Sequence, residues 1–402
     1  MKKDNLHTDR RNFLKGGMMI GGLGLLNPLS LFASHDKENN SAFEFVVGPY
    51  LQSDFGNKMT VLWITNKNAA SWVEYGMNPN QLTEKAFEES SMGFKTAGRI
   101  NRVVLHNLIP GEKYYYRIVS KEIDDFQPYK LTYGTEIKGQ IEQFTNVNNA
   151  KKEVSFVMLN DTHDRPESIP HLLGLDKGNQ RDFVFFNGDI FDYQTDEAQI
   201  VSNMLQPVVN LFAKNIPFVY VRGNHETRGK FAREFPQYFH EVGYEAFTLG
   251  PARFVILDTG EDKEDGHPVY GGIVDFDQYR IQQAALLEKE INSPAFKNAT
   301  FRIVMMHIPP RYAGDWHGSA HCRDLFEPLM NKGKVDLVLS GHTHQYRVHP
   351  PAKGLNSYPI IIGGGPKDGN RTLTIVHVSP RQIQVSMIDD SGKEVGAYTV
   401  NK

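Results

Sequence analysis

Residues 43–147 show short apolar runs that alternate with polar positions and are separated by turn residues. Turn signals such as residues 54–57 and the pair Pro110-Gly111 stand between these runs. Strands and turns at this spacing over about 100 residues predict a β-sandwich. The predicted strands are residues 43–47, 59–65, 71–75, 102–107 and 113–120.

A polar segment at residues 146–153 is the predicted linker to a second region of different pattern, so domains are expected at 43–147 and 153–402. Here apolar runs typical of buried strands alternate with helix-like stretches at residues 200–214 and 277–291, which predicts a layered α/β domain. The last fifty residues return to strands that we expect to complete a second sheet. The predicted strands are residues 154–159, 183–186, 217–221, 254–257, 302–306, 335–339, 358–362, 372–378 and 382–388.

Residues 1–34 have the pattern of an export signal: five basic residues against two acidic ones, then an uncharged, mildly apolar stretch. The pair Arg10-Arg11 stands in the run Asp-Arg-Arg-Asn-Phe-Leu-Lys, which resembles a twin-arginine signal. An ordinary secretory signal or an uncleaved membrane anchor is the alternative, but five glycines, Asn27 and Pro28 disfavour a spanning helix. We therefore expect the twin-arginine export machinery as a partner, a periplasmic or extracellular location, and no stable membrane span after signal cleavage.

Composition narrows the chemistry that the chain can host. Of its 402 residues, 40% are hydrophobic and 23% are charged, a globular balance that excludes a disordered or collagen-like chain. The single cysteine, Cys322, can form neither an internal disulfide nor a thiolate zinc site, so metal ligands must be nitrogen and oxygen atoms. The formal net charge of −3 gives no basic field that would indicate nucleic-acid binding.

Five polar motifs follow predicted strands of the second region. Because ligand chemistry collects in the loops at the carboxyl ends of strands in α/β sheets, we expect these motifs to converge on one crevice. Each motif alone is weak evidence, whereas their order and strand context together are specific. Together they supply seven nitrogen or oxygen ligands, which suit two metal ions that share a carboxylate. The motifs are Asp161-Thr-His163, Gly188-Asp189-Ile-Phe-Asp192, Gly223-Asn224-His225-Glu226, His307 and Gly341-His342-Thr-His344.

With these motifs, residues 154–400 resemble the calcineurin-like metallophosphoesterases. The runs at 48–52, 59–63 and 73–76 are similar to the N-terminal module of purple acid phosphatases, and residues 106–117 resemble the tyrosine corner of a fibronectin type III module. The resemblance implies a fibronectin type III-like β-sandwich followed by a four-layer α/β metallophosphoesterase domain, in which helices flank two central sheets.

The resemblance also implies a role for each motif residue. The first metal would be bound by Asp161, His163, Asp189 and His344. The second would be bound by Asn224, His307 and His342, with Asp189 as the bridge. The catalytic residues would be His225, the general acid over the leaving group, and Asp192, which with Glu226 is a candidate to orient the imidazole; a helix cap or loop hydrogen bond is the alternative for Asp192. Candidate substrate contacts are Arg165, Arg228 and His317, for which a solvated surface position is the alternative.

One position departs from the purple acid phosphatase pattern. Where those enzymes have an iron-binding tyrosine, this chain has Asp192, and Tyr193 stands one residue later and is expected to face elsewhere. His163 is also present, whereas those phosphatases lack a histidine in the first motif. We therefore expect a site of the broader metallophosphoesterase type without tyrosinate-bound iron, and two divalent or trivalent ions drawn from iron, zinc and manganese.

The expected function is that of an exported dimetal phosphatase acting on small phosphomonoesters, with attack by a metal-bridging hydroxide and a histidine general acid. A phosphodiesterase acting on nucleotides or phospholipid headgroups is the enzymatic alternative, because both reactions use the same metal core. An adhesion or binding protein with an inactive phosphatase domain is the alternative of another class, which the complete set of ligand positions disfavours. The sequence leaves the oligomeric state open.

Overall fold

The computed structural model of the protein describes residues 41–402 except positions 54, 89–91, 96 and 177–180. The predicted export signal at residues 1–34 lies outside the described residues. Residues Phe43–Lys402 form one compact unit. Among the described helices, none combines the length and the apolar character that crossing a membrane requires.

Two antiparallel sheets form the N-terminal region, as the alternating pattern predicts. The smaller sheet has the strand order β1-β2-β5, and the larger has the order β4-β3-β6-β7 with β8 paired to β6. This arrangement is sandwich-like and confirms the predicted β-sandwich. The strands are β1 (Phe45–Gln52), β2 (Met59–Thr65), β3 (Ala69–Gly76), β4 (Glu84–Ala86), β5 (Ile100–Leu105), β6 (Lys113–Gln127), β7 (Lys130–Lys138) and β8 (Glu142–Thr145).

Aromatic side chains fill the space between these two sheets. Trp63 of β2 is fully buried, and its indole Nε1 donates a hydrogen bond of 2.9 Å to the Ser120 hydroxyl of β6. The Tyr114 hydroxyl accepts the backbone N–H of Ile109 at 3.0 Å, which fixes the turn before β6. A buried indole needs such a partner, because an unpaired polar group away from water costs free energy.

The rest of the chain forms two six-stranded sheets with helices. The first sheet has the order β11-β10-β9-β18-β19-β20 and the second β12-β13-β14-β15-β17-β16. A π-helical turn, Val201–Leu205, joins α2 to α3 within the single helix predicted at residues 200–214. The elements are β9 (Val154–Leu159), α1 (Ser168–Leu175), β10 (Phe183–Asn187), α2 (Glu197–Ile200), α3 (Gln206–Leu211), β11 (Phe218–Val221), β12 (Glu245–Leu249), β13 (Ala252–Leu257), α4 (Phe276–Ile291), α5 (Pro294–Asn298), β14 (Phe301–Met306), α6 (His317–Gly333), β15 (Leu337–Ser340), β16 (Arg347–His349), β17 (Ile360–Ile362), β18 (Thr372–Val378), β19 (Gln382–Asp389) and β20 (Glu394–Asn401).

The side chains of β9 show why this region has four layers. Successive strand residues point to opposite faces, so Val157 and Leu159 join the core under α1, α2 and α3, while Phe156 and Met158 join the core between the sheets. The second sheet repeats the pattern, with a third core between β13, β14 and the helices α4 and α6. The predicted four-layer α/β arrangement with two central sheets is therefore confirmed.

Contrary to the prediction, the strands of the last fifty residues do not all join the second sheet. Only β17 joins the second sheet, whereas β18, β19 and β20 extend the first sheet as antiparallel strands. The physical reason is the apolar face of β18: Val376 lies opposite Phe156 of β9, and both are buried between the sheets. Alternation along one strand predicts which face is buried, but not which sheet the strand joins.

The N-terminal sheets share their core with the α/β region. Tyr50, Leu62 and Ile64 belong to the same buried cluster as the helix side of β9. The Tyr50 hydroxyl donates to the Tyr238 carbonyl at 2.8 Å, and the Tyr116 hydroxyl donates to the Lys214 carbonyl at 2.7 Å. Packing and buried hydrogen bonds thus fix the sandwich against the α/β region.

This shared core makes a prediction about Leu62, which is fully buried within it. We expect Leu62→Ala to lower the free energy of unfolding by about 2–5 kcal/mol, because truncation removes apolar contacts and leaves a cavity. Urea denaturation should show one transition for both regions, moved as a whole to lower urea. Ile109→Ala, at a position that is 52% exposed, is the matched control and should change stability by less than about 0.5 kcal/mol. Two separate unfolding transitions, of which the substitution shifts only one to lower urea concentration, would contradict the shared core.

Candidate metal centre

The five motifs follow β9, β10, β11, β14 and β15, so they lie at the carboxyl ends of neighbouring parallel strands in each sheet. The backbone there is unusual, because several motif residues that are not glycine have positive φ. Such left-handed conformations cost free energy in side-chain-bearing residues and concentrate at functional sites. The values are 50° for Asp161, 47° for His163, 51° for Asp189, 72° for His342 and 57° for His344.

The first ligand group consists of Asp161, His163, Asp189 and His344, each with one nitrogen or oxygen atom within 4.8 Å of the others. The Nε2 atoms of His163 and His344 are 2.9 Å apart, and His344 Nε2 is 3.3 Å from Asp161 Oδ1. His163 Nε2 is 3.7 Å from Asp189 Oδ2. These atoms converge on a common point, as ligands of one cation do.

The second ligand group consists of Asp189, His307 and His342, each with one ligand atom within 4.8 Å of the others. His307 Nδ1 donates to the Asn187 carbonyl at 2.7 Å, which turns Nε2 toward Asp189 Oδ2 at 3.1 Å. Asn224 joins this group, because its Oδ1 lies 2.9 Å from His342 Nδ1. The two groups therefore share the carboxylate of Asp189.

Two buried atoms in these groups make no hydrogen bond of good geometry, although each has a possible partner at 3.1–3.3 Å: Asp161 Oδ1 and His307 Nε2. Buried polar atoms are normally paired, and a cation would satisfy both. The backbone of Gly223 also lies very close to the Asp189 carboxylate, since a Cβ on Gly223 would lie 2.2 Å from Asp189 Oδ1. Imidazole, carboxylate and amide donors suit transition metals and zinc, so the residues present fit a metal centre.

The electrostatics of the cluster favour positive charge. Burial by itself lowers the pKa of His163 and His307, but Asp161 and Asp189 reverse this effect and raise it to about 9 for His163 and about 10 for His307. Burial raises the pKa of both carboxyls, yet the imidazoles hold it well below its usual range. Burial and the charge of His307 lower the pKa of His342 to about 4.

The carboxylate of Glu226 is fully buried and binds the main chain instead of the His225 imidazole. Its oxygens accept four backbone N–H groups, so the expectation that Glu226 orients the imidazole is not what the structure shows. Burial and the charge of Asp189 raise the pKa of Glu226, and the N–H groups oppose this rise. The donors are the N–H groups of Asp189 at 2.9 Å, Ile190 at 2.7 Å, Phe191 at 3.2 Å and Gly223 at 2.6 Å.

His225 lies beside the two ligand groups. Its Nδ1 donates to the Asp192 carbonyl at 2.7 Å, and its Nε2 is 4.0 Å from Asp189 Oδ2. The Asp192 carboxylate instead contacts His163 Nδ1 at 2.9 Å, so Asp192 positions one imidazole with its main chain and another with its side chain. Burial lowers the pKa of His225, and the charges of Arg228 and His163 lower it further.

Of the three candidate substrate contacts, the structure brings Arg228 to His225, with 3.1 Å between Nη1 and Nε2. Glu261 holds this guanidinium through two hydrogen bonds, of 2.6 and 2.9 Å. Arg165 donates to the Pro366 carbonyl at 2.5 Å. His317 belongs to a separate group with Asp277 and His321.

Tyr193 is 56% exposed, so its side chain faces solvent as expected. Sequence reasoning missed Asn160, whose Nδ2 donates to Asp161 Oδ2 at 2.6 Å and to the Gly364 carbonyl at 2.8 Å. Its position directly before the first motif was the available signal. It also missed why Gly365 is needed: a Cβ there would lie 2.5 Å from His344 Cβ.

Comparisons with known proteins agree with this architecture. Residues 154–346 match the family described as calcineurin-like phosphoesterase, and residues 49–133 match the purple acid phosphatase N-terminal domain. Purple acid phosphatase 21 of Arabidopsis thaliana is 26% identical over 338 residues, which cover 78% of this chain and 69% of the relative. Human acid phosphatase type 7 is 25% identical over 317 residues, covering 72% of this chain and 67% of the relative.

Two further matches are a phosphodiesterase relative and a solved phosphatase structure. The probable glycerophosphodiester phosphodiesterase GpdQ of Arcobacter nitrofigilis is 27% identical over 173 residues, covering 41% of this chain and 57% of that protein. The solved purple acid phosphatase PPD1 from yellow lupin seeds aligns with a TM-score of 0.69 at 16% identity, covering 88% of this chain and 74% of that one. The structural likeness shows that the fold is shared.

The four hydrogen bonds to Glu226 predict a large effect of Glu226→Gln. The amide offers one acceptor oxygen and turns an N–H₂ group toward backbone N–H donors, so we expect a loss of about 2–5 kcal/mol in the free energy of unfolding. Urea denaturation measures this loss. Glu288→Gln is the matched control, because among the described residues the exposed Glu288 carboxylate pairs with exposed Lys332, at 3.5 Å. This substitution should change stability by less than about 1 kcal/mol. Equal effects of the two substitutions would show that the Glu226 contacts contribute little.

Proposed function

The chain joins a calcineurin-like metallophosphoesterase domain to a purple acid phosphatase N-terminal domain and is a metal-dependent phosphoesterase, and we propose that it hydrolyses phosphomonoesters at a two-metal centre. The observation that carries this proposal is the pair of ligand groups that share Asp189. A shared carboxylate is the arrangement that two neighbouring cations require.

We assign the ligands as the motifs imply. One ion would be held by Asp161, His163, Asp189 and His344, and the other by Asp189, Asn224, His307 and His342. When bound, the two ions supply positive charge to the phosphoryl oxygens and lower the pKa of water. Iron, zinc and manganese all suit these donors.

His225 is the proposed general acid. Its Nδ1–H is committed to the Asp192 carbonyl, so Nε2 is the nitrogen that can carry a proton to the departing alkoxide. Asp192 is then a positioning residue that holds the ring through its main chain. Arg228 is fixed by Glu261 beside the same nitrogen and is placed to contact a phosphoryl or leaving oxygen.

The similarity to acid phosphatases over most of the chain supports a monoester over a diester, whereas formal charge does not decide between them. Asp161 and Asp189 are the two negatively charged ligands, because the Glu226 charge is directed at four N–H groups and the Asp192 carboxylate is half-exposed. Two divalent ions and a bridging hydroxide would leave a charge of about +1, which attracts the anion of either ester and does not discriminate between them. The GpdQ match keeps the diesterase as the second candidate.

We also propose that the chain is exported by the twin-arginine route and that residues 43–147 and 153–402 are its two domains. The Arg10-Arg11 motif supports the first proposal. The second is supported by the change of pattern at residues 146–153 and by the two family matches, which fall on either side of it.

The first test is an assay of the metal-loaded protein with phenyl phosphate and with a bis-aryl phosphodiester, with products identified. We expect two metal ions per chain and a higher kcat/KM for the monoester. Asp189→Asn should lose at least one ion and lower turnover more than about 100-fold, because it removes the shared carboxylate. The control is Asp182→Asn, which changes a carboxylate at the opposite end of β10 and should retain both ions. Higher kcat/KM for the diester, or an Asp189→Asn protein with two ions, would contradict the proposal.

The second test concerns His225. We expect His225→Ala to keep both metal ions and to lower kcat for an alkyl phosphate about 10²–10⁴-fold, because the alkoxide is no longer protonated. The loss for 4-nitrophenyl phosphate should be much smaller, since nitrophenolate leaves without a proton. His377→Ala, at an exposed position of β18, is the control and should leave both rates unchanged. Loss of metal, or equal losses for both substrates, would remove the general-acid assignment.

A further inference from the structure

A cleft of about 460 Å³ lies next to His225 and belongs to neither ligand group. One wall is formed by Thr227 and Arg228, which follow His225 in the chain, and the other by residues around Phe276 at the start of α4. Arg228 connects the cleft to the metal centre, because its Nη1 contacts His225 Nε2 at 3.1 Å. Arg228 thus stands between the cleft and His225, the residue proposed to protonate the leaving group.

The walls of the cleft combine apolar and aromatic side chains with three arginines. Val269 and Ile273 are 64% and 67% exposed, an unusual position for two large aliphatic side chains so close together. The rings of Phe276 and Tyr279 line the cleft as well. Burial of these exposed surfaces by a bound group would be favourable, at roughly 25 cal/mol per Å² of apolar area.

The two arginines nearest the centre bring little free charge to the cleft. Arg222 Nε donates to Asp258 Oδ2 at 2.5 Å, and its guanidinium lies 5.4 Å from the centroid of the Tyr279 ring. Arg228 is paired with Glu261. A paired guanidinium offers its flat face, on which aromatic groups stack. Arg233 and Asp275 add one charge of each sign.

We propose that this cleft binds the alcohol part of the phosphate ester and that the preferred substrates carry an apolar or aromatic group on the leaving oxygen. The inference rests on the proposed function, because it takes His225 as the residue that faces the leaving oxygen. Hydrolysis adds a hydroxyl to phosphorus, breaks the bond between phosphorus and the alcohol oxygen, and delivers hydrogen to that oxygen. An alcohol oxygen beside His225 Nε2 has Arg228 as its neighbour, and beyond Arg228 lies the cleft.

The test compares 2-phenylethyl phosphate with ethyl phosphate on the metal-loaded protein. The two alcohols have similar acidity, so a difference in kcat/KM reports binding of the phenyl group and not leaving-group chemistry. We expect the phenylethyl ester to be favoured about tenfold. The double variant Val269→Ser, Ile273→Ser should reduce this ratio to about twofold, because both changes remove apolar wall at exposed positions. Ile109→Ser, which removes an exposed aliphatic side chain in the N-terminal region, should keep the ratio.

Binding gives a readout apart from turnover. Titration calorimetry with 2-phenylethylphosphonate and ethylphosphonate, which are not hydrolysed, should give the same preference and the same loss in the double variant. A ratio near one, or a ratio that the double variant does not change, would overturn the role of the cleft while leaving the phosphatase intact. Hydrolysis of neither ester would overturn the proposed function and this inference with it.

Discussion

The site depends on the carboxylate of Asp189, which lies among several imidazoles at the end of β10. One oxygen accepts the backbone N–H of His225 at 2.9 Å, and the other faces His307 Nε2 at 3.1 Å and His163 Nε2 at 3.7 Å. A buried charge is stable only when it is paired and hydrogen-bonded. The surrounding imidazoles and their ligand atoms are therefore arranged around this one group, which belongs to both metal-ligand clusters.

Holding Asp189 there requires an unfavourable backbone, with φ of 51°, and the structure supplies the compensation. Glu226 binds the N–H groups of the loop around Asp189 and of Gly223, so one buried carboxylate joins the second motif to the third. Strand β10, which carries Asp189 at its end, is buried along its whole length and paired with β9 on one side and β11 on the other, which gives the strained loop a rigid base. Strain at the centre is thus stabilised by hydrogen bonds within the motifs and by packing below them.

Local rules predicted the β-sandwich, the layered α/β domain and the convergence of the motif residues, because alternation identifies buried strands and ligand loops follow the strands' carboxyl ends. The four-layer arrangement was implied by the resemblance to the metallophosphoesterases. Sequence reasoning could not reach contacts that depend on three-dimensional packing. Asn160 and Glu261 act through partners far away in the chain, Gly364 and Arg228 respectively. Sheet membership of β18 and the main-chain role of Glu226 are also decided by tertiary neighbours, which no pattern along the chain records.

The loop after β13 explains how arginines can stand near a centre that must attract cations. For unit charges about 8 Å apart at an effective dielectric of 20, repulsion is about 2 kcal/mol. An unpaired Arg228 beside His225 would therefore weaken metal binding. Glu261 binds the Arg228 guanidinium through both carboxylate oxygens. Asp258 binds the Arg222 guanidinium through one carboxylate oxygen. Paired in this way, the guanidinium groups offer donors and flat surfaces without adding unpaired positive charge beside the candidate metal ligands.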